Sequence, residues 1–248
     1  MDPAYLALLG FAVFGASILQ AATGIGYGVI AGPIFLVALN GTEALQISTL
    51  HNLLIAIILV PMLRGGVEKR ILGFLAAGSI AGIAFGLFLQ AELSVVALKL
   101  VAAAMVAFVA LTLVSDMRRK SAAVSTFGEP GIEVASVGVL SGIMGGMLAM
   151  PGPLAATWMS IRSYEKASVR STILAFFVFA YGANVLSYTA VSGFDAQTLK
   201  LAVFLTPPLV LGIAAGWVIS RLLSEMLFRK ILLSVLTATT VMLLSSVV

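Results

Sequence analysis

The sequence predicts an all-α, polytopic membrane bundle. Three observations carry this: a composition too apolar for water, runs long enough to cross a bilayer, and a glycine-rich interruption that recurs in two of them. Apolar residues make up 61% of the 248 positions and charged residues only 10%, against roughly 25% charged in soluble domains. The mean hydropathy is +1.15. Apolar runs cover 5–39, 47–63, 71–89, 100–114, 134–161, 171–191, 201–219 and 231–248. A helix needs about 20 residues to span the hydrocarbon, and these runs leave no stretch large enough for a soluble domain. Met1-Asp2-Pro3 lacks the basic flank of a cleaved signal, so the first run is expected to stay in the mature protein.

The net charge of +4 would suggest nucleic acid in a soluble chain. Here the cations fall in short loops between apolar runs, where the positive-inside rule accounts for them, and no nucleic-acid partner is expected. The absence of cysteine removes disulfides, thiolate metal sites and thiol catalysis. No metal, cofactor or catalytic residue is expected.

The two halves of the chain resemble one another. The stretch 26–33 aligns with 146–153, the stretch 44–50 with 167–173, and Gly82-xxx-Gly86 with Gly212-xxx-Gly216. This order divides the chain into a first transmembrane repeat, 1–120, and a second, 121–248, within one membrane domain. Basic clusters stand at Arg64/Lys69/Arg70, Arg118/Arg119/Lys120, Arg162/Lys166/Arg170 and Arg221/Arg229/Lys230, whereas the loops near Glu43, Glu92/Lys99 and Asp195/Lys200 are poor in positive charge. Eight plain spans would put two of the four clusters on the wrong side. The conflict disappears if the runs 5–39 and 134–161 each enter and return, broken at internal Gly and Pro. All four clusters are then cytoplasmic, both termini are outside, and the halves are inverted, each with a discontinuous helix, a recurring transporter design.

Broken backbone survives inside a membrane where it faces protein or a water-filled cavity. Gly24 and Gly26, with Gly145 and Gly146, therefore point to a central cavity, where glycine lets backbone N–H groups approach an anion. Close helix packing is the competing reading, and it is the one that suits Gly78-xxx-Gly82-xxx-Gly86. No Asp or Glu lies near the middle of an apolar run, which disfavours proton carriage or Na⁺ binding on a buried carboxylate. A neutral or cationic pocket suits an anion. Gln20, Thr23, Ser48, Thr49, Asn52, Ser171 and Thr172 are the polar residues placed to supply hydrogen bonds. Arg170 either pairs with an oxyanion bidentately or serves as an interface arginine. His51, the single histidine, either gates transport by titrating near neutral pH or packs. Trp158 and Tyr164 read as interfacial anchors, with Trp158 alternatively lining the cavity.

Gly24-Ile25-Gly26-Tyr27-Gly28 leading to Pro33, followed by Ala44 and Ser48-Thr49, resembles the signature of the TauE/SafE family of sulfite and organosulfur-anion permeases. The second copy, 142–146 with Pro151 or Pro153, Ala167 and Arg170-Ser171-Thr172, is similar. The resemblance spans essentially the whole chain. It implies a bacterial inner-membrane permease that exports or exchanges a small sulfur-containing anion, such as sulfite or a sulfonate, by alternating access at a midplane site between inverted halves. Two positions depart from the pattern: Tyr27 stands where glycine is more usual, and Gly145-Gly146-Met147 is a thinner glycine run. A homodimer is compatible with the sequence. Rival classes are an anion channel of the same fold, a membrane-embedded enzyme and a passive scaffold. Only Ser141 or another serine with His51 could serve an enzyme, and a scaffold has no need of duplicated broken helices.

Overall fold

The computed structural model describes residues 3–24, 26–63, 66–118, 131–222 and 225–247. Ten α-helices and no strand occur among them. Six of the eight apolar runs each form one helix: α3 (Glu43–Leu59, continued by a 3₁₀ turn at Val60–Met62), α4 (Lys69–Glu92), α5 (Val95–Arg118), α8 (Lys166–Val191), α9 (Ala196–Leu222) and α10 (Glu225–Ser245). The other two runs break as their glycines predict, the first into α1 (Pro3–Thr23) and α2 (Tyr27–Leu39), the fifth into α6 (Gly131–Leu148) and α7 (Gly152–Ile161). Seven helices are long and apolar enough to cross a bilayer. At 13 and 10 residues, α2 and α7 reach only about 20 and 15 Å at 1.5 Å per residue. Arg64, Arg119 and Lys120 of the basic clusters lie outside the described residues.

Both broken runs fold back on themselves. Near the start of α1, the Tyr5 hydroxyl donates to Ala38 O at 2.6 Å, near the end of α2. At the start of α6, the Glu133 carboxylate accepts from Trp158 Nε1 at 2.9 Å and pairs with Arg162, just past the end of α7. The Arg162 guanidinium also lies 5.7 Å from the Trp158 ring centre. Trp158 is thus part of a polar clasp at the mouth of the second hairpin.

The chain packs as two compact units, each drawing on both sequence halves. Unit 1 comprises 1–51, 94–117 and 194–248; unit 2 comprises 52–93 and 118–193. The units describe packing and the duplication describes sequence, and their boundaries differ because α9 and α10 join α1 and α2, while α4 joins α6 to α8.

In unit 1, α9 lies on α1 so closely that a Cβ on Gly212 or Gly216 would sit 2.5 Å from Phe14 O or Ile18 O. In unit 2, a Cβ on Gly78, Gly82 or Gly86 would sit 2.1–2.3 Å from the carbonyl oxygens of Ala135, Val139 and Ile143 on α6. Gly138, Gly142 and Gly146 return the fit against Leu75, Ser79 and Ile83. Gly82 and Gly86 align in sequence with Gly212 and Gly216, and both pairs lie at a close helix-on-helix contact. Without a hydrophobic drive between helices in lipid, such close backbone approach is what holds them together.

The ends of unit 2 can be assigned. Glu68 N–H donates to Thr172 Oγ1 at 3.0 Å, and Tyr188 OH donates to Gln90 Oε1 at 2.9 Å. Helices α4 and α8 therefore run parallel, starts together. Because α6 also runs parallel to α4, Lys69, Arg70, Arg162, Lys166 and Arg170 gather at one end, as expected for loops on one membrane face.

Gly82→Ala should lower the melting temperature of the detergent-solubilised protein by several degrees, a cost of about 1–3 kcal/mol for overpacking. On the same helix, Gly73→Ala, with nothing within 4 Å of its Cβ position, should leave it unchanged or raise it. Equal effects from the two substitutions would contradict the packing assigned to Gly82.

Candidate functional site

The two breaks solve one problem by different means. When a helix stops inside a membrane, its last carbonyls and the next helix's first N–H groups lose their partners. At the first break, Gly24 takes φ 84°, a left-handed conformation open to glycine at no steric cost. Its N–H reaches Gln20 O at 2.7 Å. The Gln20 side chain bridges the gap, donating from Nε2 to Gly24 O at 3.0 Å and accepting from Tyr27 N–H at 2.9 Å. Thr23 Oγ1 turns back to Leu19 O at 2.7 Å. Gly26 is the N-cap of α2.

At the second break, Ala149 occupies the left-handed position, φ 56°, and its N–H reaches Gly145 O at 3.0 Å. Here α8 supplies the caps: Asn184 Nδ2 donates to Gly145 O at 2.9 Å and Tyr181 OH to Ala149 O at 3.0 Å. Gly145 faces the Pro151 ring across the turn, whereas Gly146 is still within α6 and against Ile83 and Leu87 of α4, where close packing accounts for it.

In both breaks the left-handed residue precedes the restarted helix by three positions, Gly24 before Tyr27 and Ala149 before Gly152. The structural register therefore pairs Gly24 with Ala149. This corrects the alignment of 26–33 with 146–153 by five residues: glycine identity drew the sequence match, but backbone conformation defines the equivalence.

The remaining predicted residues lie on α3 and α8. Ser48, Thr49, His51, Asn52, Ser171 and Thr172 are all buried, while Arg170 is half-buried at the start of α8. His51 Nδ1 lies 2.6 Å from Tyr27 OH, and Nε2 lies 2.9 Å from Ala202 O. A carbonyl only accepts, so Nε2 carries a proton and donates to Ala202 O, while Nδ1 and the Tyr27 hydroxyl share the second hydrogen bond. This chain joins α2, α3 and α9.

Hydroxyls in membrane helices usually return to a carbonyl one turn back, as Thr23, Ser115 and Thr206 do. Thr49 Oγ1 and Ser171 Oγ do not, and have no hydrogen-bond partner although wholly buried. Each copy of the Ser-Thr pair thus keeps one hydroxyl open, while Thr172 of the second copy accepts from Glu68. Ser17 on α1 and Ser141 on α6 are likewise buried without a partner.

Sequence reasoning missed several of these. Tyr181 and Asn184 as caps leave no local signal, because their partners lie 32 and 39 residues away. Lys99, read as part of a loop, is instead inside α5 and buried. Its signal was a cation followed directly by an apolar run. An apolar groove of about 500 Å³ between α1 and α9, lined by residues such as Leu6, Phe204 and Pro208, contains none of the predicted residues and suits hydrocarbon, not an anion.

Apolar helices of spanning length, two broken hairpins and buried polar side chains at the breaks define a polytopic membrane permease. The family model "Sulfite exporter TauE/SafE" matches residues 9–243, and the chain belongs to that family. Neither a curated protein nor a solved structure matches it significantly.

Left-handed backbone costs roughly 1–2 kcal/mol at a residue bearing a Cβ. Ala149→Gly should therefore raise thermal stability by about that amount, and Gly24→Ala should lower it. Stability changes of the reverse sign would show that the two breaks do not share this geometry.

Proposed function

We propose that this permease exports or exchanges a small sulfur-containing anion, sulfite or a sulfonate, by alternating access, and that it resides in a bacterial inner membrane with its basic loops in the cytoplasm. Membership of the TauE/SafE family supports the substrate class. The observation that carries the reading is a buried open hydroxyl in each packing unit, Thr49 in one and Ser171 in the other. A buried donor without an acceptor costs about 1–3 kcal/mol; an oxyanion, rich in acceptors and lacking donors, removes that cost when it binds. The described acidic residues fall at helix ends or between helices, so no carboxylate in mid-span among them opposes an anion.

Ser48, Asn52 and Thr172 frame the same motifs. Gln20, Thr23, Gly24, Gly26, Gly145 and Gly146 shape the breaks that keep polar backbone within reach, and Arg170 attracts the charge from the half-buried start of α8. His51, hydrogen-bonded between Tyr27 and Ala202, couples the restarted helix to α3 and α9 and is the residue through which protons would act. Three long helices after each broken hairpin, an odd number, support an inverted arrangement of 1–120 and 121–248.

Proteoliposomes should show saturable uptake from a panel of sulfite, sulfate, thiosulfate, small sulfonates and carboxylates, with a sulfur anion preferred. Thr49→Val and Ser171→Ala should each reduce catalytic efficiency about tenfold or more, the worth of a hydrogen bond to a charged group. Unchanged kinetics in both variants would remove these hydroxyls from the site, and flat traces for every anion would remove the substrate class.

A further inference from the structure

Lys99 is buried, at 5% exposure. It lies in the first turns of α5, a spanning helix. Its Nζ donates to Asn40 Oδ1 at 2.7 Å, and the ion pair among the described residues joins Arg162 to Glu133 elsewhere. A buried ammonium thus has one neutral acceptor for three N–H donors. In a membrane span, an ionisable group held this way marks a ligand or ion path more often than a structural support, because desolvating a charge without a counter-ion is expensive.

The partner is fixed in place. Asn40 caps α2 in the left-handed region, φ 53° and ψ 34°, with its N–H on Leu36 O. Asparagine tolerates this conformation better than most residues. The preceding turn is held to α1 by the Tyr5 hydroxyl on Ala38 O. Glu43 is the nearest acid in sequence to Asn40, and its carboxylate folds over Gly41, where an added Cβ would meet it; it makes no ion pair with Lys99. The C-terminal end of α2 supplies only partial negative charge, less than one ammonium requires.

We propose that Lys99, positioned by Asn40, binds a small oxyanion at the end of unit 1 where α1, α5 and α9 begin, as a recognition site separate from Thr49 and Ser171. The end is set by contacts within the unit: α5 starts beside the end of α2, α2 ends beside the start of α1, and α1 runs parallel to α9. With the orientation proposed above, this end faces away from the cytoplasm. The inference rests on the anion-permease reading for its transport consequence, but not for binding itself.

The test pairs initial rates of sulfite uptake in proteoliposomes with the thermal stabilisation of purified protein by sulfite and by sulfate. Lys99→Gln and Lys99→Met should raise KM about ten- to hundredfold, the range for losing a hydrogen bond to a charged group. They should leave the maximal rate within about twofold and abolish stabilisation by the anion, while Lys99→Arg retains both. Either neutral variant, folded and with unchanged KM and stabilisation, would make Lys99 merely a cap on α2 and overturn the proposal. If wild-type protein carries no sulfur anion yet is stabilised by sulfate in a Lys99-dependent way, the site stands and the substrate class falls. If wild type shows neither flux nor stabilisation, both fall.

Discussion

The structure depends on one constraint: inside hydrocarbon, each backbone N–H and C=O must find a partner within the protein. Two helices in this chain stop among buried residues, and the fold is arranged around those interruptions. At the first, a single side chain, Gln20, replaces the missing helix bonds by donating to Gly24 and accepting from Tyr27. At the second, where Gly145 stands near the place of Gln20 and has no side chain to offer, Asn184 and Tyr181 reach in from α8. The first break is therefore capped locally and the second by a neighbouring helix. One consequence is that Gln20, Thr23, Tyr181 and Asn184 serve the backbone first.

The same constraint sorts the polar residues by role. Once the groups engaged with backbone are set aside, the buried donors left open include four hydroxyls, the Gln90 amide N–H groups and an ammonium. Thr49, Ser171, Ser17 and Ser141 lack acceptors, and Lys99 has one acceptor for its three donors. Open donors without facing carboxylates favour a ligand that brings acceptors and negative charge, which fits the chemistry associated with the family. His51 differs, since both of its nitrogens are engaged and its neighbours are Tyr27 and Phe35.

Much of this was legible in the sequence because apolar run length and interior Gly and Pro report directly on spanning and breaking. The runs 5–39 and 134–161 stood out by length, and both break. The charge pattern was informative too: it required those runs to return, and the clasps at Tyr5–Ala38 and Glu133–Arg162 close them. Glycine identity was a poorer guide. It aligned Gly26 with Gly146, although the left-handed residues are Gly24 and Ala149, because glycine serves both tight turns and close packing and sequence cannot separate the two. Gly142 and Gly146 proved to face α4. The burial of Lys99 was hidden for a related reason. Its partner Asn40 lies 59 residues earlier, and a lysine near a helix start otherwise reads as an interfacial residue.

The central claim is that a small oxyanion is carried by a protein that presents its donors to one side at a time. Counterflow tests this most directly: vesicles preloaded with unlabelled sulfite are diluted into a trace of radiolabelled sulfite. A carrier should drive transient accumulation of label above its equilibrium level, followed by decay as the internal pool empties. Label that rises only to equilibrium, or never enters vesicles shown to contain folded protein, would contradict the account.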